Sequence, residues 1–453
     1  MRQTYSVSVF VWLFLLIQAT LAGQAGPYLP ADTTALFARL ESLTAECIAR
    51  LPADSPGAVA EVYRDRAEDL RTGISAGDYL FRSDLQQFVD GMFRTLIDAN
   101  GLSLDPVVLI SRSPAVNASS LGDGLFVINI GLLRRIRNSD ELAFVFAHEL
   151  SHDQLAHLAR KLEVIAEQDT EASSERERER AMRRRLRREG RARVMEDLRD
   201  AVYENRRHSR AAELSADSLG KQYLARSGYA DSAMLRALQL LRDYEPFVLP
   251  DSAVVRGFQT RTYPFKEKWI AEPAQLFGGS FGGADADDPN AAFWAKDSLS
   301  THPDLEHRLD RAATSSATAG RAPAAHPFAE ISRREIITRY LERGLSAHAL
   351  CLALAAREEQ PDEVFYALAA GKGLLNTYRS VREHHFDRHI PPTAYFDDPG
   401  ASQLLRLLHQ IRNSELKKLT LAYLEDRVAE FPDDPRATAL QEEAILYFNT
   451  IDE

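Results

Sequence analysis

Two histidines four positions apart, His148 and His152, lie inside a segment that is apolar on nearly all sides, E141-L-A-F-V-F-A-H-E-L-S-H. In a helix this spacing puts both imidazoles on one face, where they can reach the same Zn²⁺. A buried helix has to supply partners for the polar atoms of two histidines and a glutamate. The pattern therefore predicts a core helix with a metal site, in which Glu149 takes a proton from bound water.

The residues just before this segment mark the start of the helix. Asn138 and Glu141 fit a capping box, in which a side chain at the helix start and a Glu three residues later bind free backbone N–H groups. The alternative is a set of ordinary polar residues on a solvated helix face. That alternative conflicts with the apolar surroundings of the motif.

A catalytic zinc site uses three protein ligands and keeps one position for water, so a third ligand must exist. His157 is the nearest candidate, but in a continuous helix it falls about 140° round from His152. Glu213 and Asp217 stand four positions apart in another helical segment, residues 208–229. Such a pair is often a surface feature. Next to an incomplete zinc site it favours Glu213 as the third ligand and Asp217 as the acceptor that fixes a tautomer.

The chain contains four motifs whose types and order resemble those of the gluzincin metallopeptidases of the CAAX-prenyl-protease and HtpX type. H-E-L-S-H and E213-L-S-A-D match the family's two zinc motifs. V116-N-A-S-S-L-G-D-G-L-F-V-I-N-I-G-L-L resembles its N-A-x-x-x-x-x-G segment, and T301-H-P-D-L-E-H-R-L resembles its T-H-P-x-x-x-x-R element. The resemblance covers roughly residues 60 to 312. It departs from the family at Ser151, where Gly is usual, and in a long charged insert between the zinc motifs.

The helical and strand segments predict the fold, and the ligand set predicts the mechanism. The fold is α+β, a mainly helical metallopeptidase domain with a small sheet, followed by an all-α domain similar to tetratricopeptide repeats. One Zn²⁺ per chain would activate a water that attacks a peptide carbonyl. Glu149 would act first as base and then as acid. His302 and Arg308 are candidates for stabilising the developing charge. In periplasmic members of the family, the equivalent of His302 can instead bind at the zinc position that water would occupy. A third alternative is that His302-Pro303 only caps a helix.

A predicted strand, L125-F-V-I-N-I, has apolar residues that suit a half-buried sheet position. The resemblance implies that this strand is an edge strand, which pairs with the main chain of an extended substrate. We expect Asn117, Ala118 and Gly124 to lie along that approach. A role in the sheet core alone is the alternative for these side chains.

The N-terminus indicates export. Arg2 precedes a short apolar run, residues 8–22, that ends in small residues, as secretory signals do, with cleavage after Ala22 or Ala25. A membrane span needs about 20 apolar residues, so a retained N-terminal anchor is the weaker alternative. We expect a periplasmic or otherwise extracytoplasmic protein. The net charge of −11 gives no reason to expect nucleic-acid binding.

The domain organisation follows from these motifs and from a linker rich in Ser, Ala, Thr and Gly. The C-terminal region has the sequence pattern of packed helices but no clear 34-residue repeat. Both tetratricopeptide-like repeats and ordinary helical packing are therefore possible interpretations. Cys47 and Cys351 form no C-x-x-C motif, and a disulfide between them also stays open. The predicted divisions are a signal peptide at 1–22, a zinc metallopeptidase domain at 27–312 with a charged helical insert at 160–207, a linker at 313–332 and a helical domain at 333–453.

The predicted function is an exported zinc endopeptidase with polypeptide substrates. The resemblance to the periplasmic quality-control branch of the family implies a role in envelope or outer-membrane protein quality control, with the outer-membrane assembly machinery as a partner. The alternative is a latent protease that works as a chaperone, with its helical C-terminal domain binding clients. The basic segment 183–193 either touches an anionic membrane or belongs to a solvated, salt-bridged hairpin.

Overall fold

The computed structural model describes residues 27–51, 57–168, 210–243, 247–271, 305–315 and 327–452. The predicted signal peptide, most of the charged insert with the segment 183–193, and His302 lie outside these residues. The chain divides into two compact units, one formed by Met1–Arg242 and Asp297–Ala329, the other by Asp243–Lys296 and Glu330–Glu453. This division does not test the domain boundaries predicted from the sequence, which stay a prediction. In the described part, no helix is both long and apolar enough to span a membrane.

Helices dominate both units and one small sheet lies in the first, so the predicted α+β class is confirmed. The strands are β1 (Val107–Ser111), β2 (Ala118–Ser120) and β3 (Leu125–Asn129). The helices are α1 (Thr33–Arg50), α2 (Gly57–Ser75), α3 (Ser83–Ala99), α4 (Ile130–Arg135), α5 (Ser139–Gln154), α6 (His157–Gln168), α7 (Arg210–Arg226), α8 (Ala233–Arg242), α9 (Ala253–Phe258), α10 (Leu305–Ser315), α11 (Ala329–Glu342), α12 (Ser346–Glu359), α13 (Val364–Arg382), α14 (Phe386–His389), α15 (Pro399–Gln410), α16 (Asn413–Glu430) and α17 (Pro435–Asp452).

The sheet has the order β1-β3-β2, with β3 parallel to β1 and antiparallel to β2. The strand predicted at 125–130 is therefore present, but it lies in the centre. Both sides of its backbone are already hydrogen-bonded to neighbouring strands, so β3 cannot pair with a substrate. The edge beside it is β2, which contains Ala118, and the expectation that the long apolar strand is the edge was wrong.

Both faces of the sheet are covered by helices. Leu125 packs with Leu40 of α1 and Leu70 of α2 in one apolar cluster. Because side chains alternate along a strand, Phe126 points to the other face. There the ring centroid of Phe93 lies 4.8 Å from Phe126 and 4.6 Å from Phe146, the latter on α5. The sheet thus holds α5 through a core of aromatic rings.

The start of α5 is close to the predicted one. Asn138 caps the helix, since its Oδ1 accepts a hydrogen bond of 3.0 Å from the N–H of Glu141. The carboxylate of Glu141 in turn accepts the N–H of Arg137 at 3.1 Å, one residue earlier than in the usual capping box. The apolar segment that follows is buried almost throughout, as predicted.

Helix α7 lies along α5 and ends just before Gly228, as predicted for this segment. Gly220 permits this contact. A Cβ atom added there would lie 3.1 Å from the backbone nitrogen of His148. The backbones of the two helices can therefore approach closely only because this position has no side chain.

The second unit is entirely helical in its described residues. Its helices pack on one another, α12 on α13, α13 on α16 and α16 on α17. Two of these three pairs are consecutive in the chain, and the identity of a repeat stays a prediction. Buried Cys351 belongs to this unit and buried Cys47 to the first, and no disulfide joins them. Burial raises the pKa of the Cys47 thiol to about 12.

Candidate metal centre

Three buried side chains from two helices meet in the first unit. His148 and His152 of α5 have their Nε2 atoms 3.0 Å apart. Glu213 of α7 lies between them, with Oε2 at 3.5 Å from Nε2 of His148 and Oε1 at 3.4 Å from Nε2 of His152. All three are less than 5% exposed. One turn of α5 provides two potential ligands, and the close packing of α7 provides the third.

These separations suit zinc. Four ligands placed tetrahedrally at about 2.0–2.1 Å from the ion lie about 3.3–3.4 Å from one another. The three observed separations of 3.0, 3.4 and 3.5 Å are centred on that value. The donor set, two imidazoles and one carboxylate, is also one that zinc uses in catalytic sites. His148, His152 and Glu213 would hold the ion if it binds.

The other ring nitrogen of His148 faces Asp217. Its Nδ1 lies 3.0 Å from Oδ1 of Asp217, so a proton at Nδ1 leaves the Nε2 lone pair for a metal. Burial lowers the pKa of His148, but the hydrogen bonds to Asp217 and Glu213 outweigh this effect and raise the pKa to about 9. Burial raises the pKa of Asp217, and the partners His148 and Arg308 overcome this, so that it falls to about 2.

Arg308 of α10 supports the same two carboxylates. Its Nε and Nη2 each donate a hydrogen bond of 2.7 Å to Asp217. Its Nη1 lies 2.8 Å from Oε2 of Glu213. The guanidinium is only 2% exposed, so its charge is directed to these acids. The geometry is that of a residue that positions Asp217 and Glu213, whereas the sequence prediction placed Arg308 beside the reacting carbonyl.

His157 has a position that the sequence did not predict. α5 ends at Gln154, and Ala156 adopts a left-handed φ of 52°, so the helix is broken before His157 begins α6. The expectation of a continuous helix was therefore wrong. The ring turns back toward the metal centre, and its Nδ1 lies 2.9 Å from Nδ1 of His152. Its Nε2 lies 3.3 Å from Oγ of Ser215 on α7.

His157 is thus a neighbour of a ligand. It contacts the ring nitrogen of His152 that is turned away from Glu213, and it stays outside the group of three potential ligands. Together with Asp217 it provides each histidine ligand with a partner at Nδ1. A histidine five residues after the motif was the only sequence signal, and a helical wheel assigns it to the wrong side.

Glu149 is bound to the edge strand. Its Oε2 accepts the backbone N–H of Ser120 at 2.8 Å, and the residue is 1% exposed. One turn later, Oδ1 of Asp153 accepts the backbone N–H of Gly124 at 2.8 Å. Two carboxylates of α5 therefore hold β2 and the turn after it. Gly124 has a φ of 80°, which favours glycine, and it belongs to the turn between β2 and β3 rather than to the strand edge.

The hydrogen-bond register shows which atoms of β2 face outward. Asn117 accepts the N–H of Asn129 at 3.0 Å, and Leu121 donates to Leu125 at 2.7 Å, so alternate residues pair with β3. Ala118 and Ser120 lie between these pairs and direct their N–H and C=O groups away from β3. Ser120 binds Glu149 on that side. Ala118 therefore presents its backbone on the same side as the candidate base.

Comparison with known proteins agrees with this geometry. The model of peptidase family M48 matches residues 83–316, more than half of the 453-residue chain. A putative beta-barrel assembly-enhancing protease of Vibrio cholerae is 24% identical over 160 residues, which are 35% of this chain and 33% of that protein.

The beta-barrel assembly-enhancing proteases of Yersinia pestis and Escherichia coli K12 are 29% identical over 165 residues and 28% identical over 212 residues. These matches cover 36% and 41% of this chain, and 34% and 44% of the two relatives. The chain thus spans less than half of the length of these relatives. The family match includes both histidines, the glutamate between them, Glu213 and Arg308. The chain belongs to peptidase family M48, a family of zinc-dependent metallopeptidases.

Proposed function

We propose that this protein is an exported zinc endopeptidase that hydrolyses peptide bonds inside protein substrates. One observation carries the proposal. Glu149, on the helix that presents His148 and His152, is held at 2.8 Å by the backbone of the edge strand β2. A potential base, the potential metal ligands and a strand edge suited to an extended chain are therefore in one place.

The chemistry that we propose depends mainly on Glu149. When bound, zinc would polarise the substrate carbonyl and make a water molecule more acidic. Glu149 removes the proton from that water and later transfers it to the leaving amine. The N–H of Ser120 keeps the carboxylate in one orientation through both transfers. Asp217 and His157 hold the imidazoles of the ligands, and Arg308 holds Asp217 and Glu213.

The substrate would lie along β2. Ala118 offers a backbone N–H and C=O to an extended chain, and Asn117 precedes it at the start of the strand. The amide of Asn117 donates to Oγ of Ser119 at 3.3 Å, which orients it on the strand. Main-chain pairing of this kind accepts many sequences, as a peptidase of protein substrates requires.

The relatives' names support a biological role for the proposal. Because they are called beta-barrel assembly-enhancing proteases, we propose that this protein acts in envelope protein quality control, near the outer-membrane assembly machinery. The helical second unit would bind polypeptide clients. Export is supported by the apolar N-terminal run, and the mass of the mature N-terminus from cells would test cleavage after Ala22 or Ala25.

The central test compares Glu149→Gln with the unchanged protein. Both should bind one zinc per chain by elemental analysis, and only the unchanged protein should cleave an unfolded protein such as casein. Glu41→Gln changes an exposed glutamate of the same unit and should leave cleavage intact. Cleavage by Glu149→Gln at the normal rate, or protein without stoichiometric zinc, would contradict the proposal. A cellular phenotype that survives Glu149→Gln would favour the chaperone alternative.

A further inference from the structure

A cavity opens beside Glu149, inside the first unit. Its empty volume is about 520 Å³, part of which is open to solvent. Nine side chains from four helices form most of its wall, and six of the nine are apolar. The apolar six are Leu132 of α4, Phe144 and Val145 of α5, Leu238 and Leu241 of α8, and Leu305 of α10.

The cavity continues from the metal centre toward the start of α5. Phe144 and Val145 precede His148 and Glu149 by one helical turn, so they lie on the same face. The ring centroids of Phe144 and His148 are 6.1 Å apart. At the other side, the cavity reaches Ala118 of the strand edge. A substrate paired with β2 would therefore have this space directly beside its reacting bond.

The polar groups in the wall do not make the cavity selective for charged side chains. Arg308 is the cation there, but its guanidinium contacts Asp217 and Glu213 at 2.7–2.8 Å. His148 and Glu149 are directed to the metal site and to Ser120. An acidic or basic substrate side chain would lose its hydration without gaining a matching charge. A large apolar side chain would bury its surface against leucine and phenylalanine.

We propose that this cavity receives the side chain of the substrate residue on the amine side of the scissile bond, and that it selects large apolar residues. The proposal rests on the proposed function. Glu149, in the cavity wall, transfers a proton to the leaving amine, so the nitrogen of that residue must come within hydrogen-bond distance of Glu149. The side chain attached to the next atom then enters the cavity.

The first experiment maps cleavage sites by mass spectrometry after digestion of denatured proteins with the zinc-loaded protein. Leu, Phe, Met and Ile should occur immediately after the cut roughly tenfold more often than Asp, Glu or Lys, relative to their abundance. Cleavage without preference at that position, or with a preference for charged residues, overturns this inference and leaves the peptidase function standing.

A second experiment changes the cavity. Val145→Trp fills part of it and should shift the preferred residue to Ala, Ser or Gly. Val248→Trp makes the same change at a site that is 55% exposed in the second unit, and its cleavage profile should match that of the unchanged protein. Zinc content confirms that Val145→Trp is folded. An unchanged profile for folded Val145→Trp contradicts the assignment of the cavity.

Binding separates failure of the subsite from failure of the peptidase. Zinc-loaded Glu149→Gln is titrated with a labelled Ala/Ser host peptide that carries one Leu, or one Asp at the same place. Fluorescence anisotropy should show roughly tenfold tighter binding of the Leu peptide. If that preference appears while the unchanged protein cleaves nothing, the apolar subsite stands and the proposed function falls. Equal binding of the two peptides overturns the subsite.

Discussion

Nδ1 of His157 lies 2.9 Å from Nδ1 of His152, on the side of the ring opposite the nitrogen that faces Glu213. A contact of this kind keeps a ligand ring in one orientation and one tautomer. We therefore expect His157→Ala to lower zinc affinity roughly 10- to 100-fold, as measured by competition with a chelator. His307→Ala, an exposed histidine on α10, is the control and should bind zinc normally. Equal affinities in the two variants would show that His157 has no positioning role.

Arg308 provides positive charge to two buried carboxylates, and zinc would provide it to the same region. Arg308→Gln should therefore destabilise the metal-free protein strongly, by about 3–5 kcal/mol, because Asp217 and Glu213 lose their cation. Saturating zinc should reduce this loss. Chemical denaturation with and without zinc measures both values, and Arg311→Gln on the exposed side of α10 is the matched control. A loss that is the same with and without zinc would contradict the positioning role.

Removal of the metal should affect the two units differently, because all three potential ligands belong to the first unit. Zinc at 1,000 times its Kd stabilises the state that binds it by about 4 kcal/mol. In calorimetry, a chelator should lower the melting temperature of one transition and leave the second unit's transition unchanged. Glu213→Gln should lose this zinc response. A chelator effect on both transitions would mean that the second unit also depends on the ion.

Glu415 should make the stability of the second unit depend on pH. Hydrogen bonds from Lys266, Lys268 and Trp269 lower its pKa from 4.5 to about 2, although burial opposes them. A carboxylate with a lowered folded pKa stabilises the fold above the unfolded pKa, and this contribution is lost as the pH falls through the folded value. Glu415→Gln should therefore be less stable than the unchanged protein at pH 7.

The difference between the two proteins should shrink as the pH falls from 4.5 toward 2. Urea denaturation at several pH values measures it. Glu442→Gln, a substitution of an exposed glutamate in α17, should show no comparable pH-dependent difference. A difference that stays constant from pH 7 to pH 3 would rule out the carboxylate charge as its cause.

Several features of the candidate metal centre could be predicted from the sequence because they depend on the spacing of residues within one helix. The period of α5 places His148, Glu149 and His152, and the cap at Asn138 marks where the helix begins. Glu213 and Asp217 could be proposed because the site needed one more ligand and because both lie on one face of α7. The geometry brings all of these residues together, as expected from their order in the motifs.

Other features depend on contacts that spacing does not describe. β2 has three residues, Ala118–Ser120, too few for an alternating pattern, so the sequence favoured the longer β3 as the edge. The break before His157 occurs at Ala156, and an alanine at a positive φ has no sequence signature. The motif placed Arg308 near the centre, but only the packing of α10 shows that it contacts Asp217.

The close contact at Gly220 has one more consequence. The position of Glu213 relative to the two histidines depends on where α7 touches α5, next to His148. A side chain larger than hydrogen at position 220 would therefore push the two helices apart and separate the two halves of the centre.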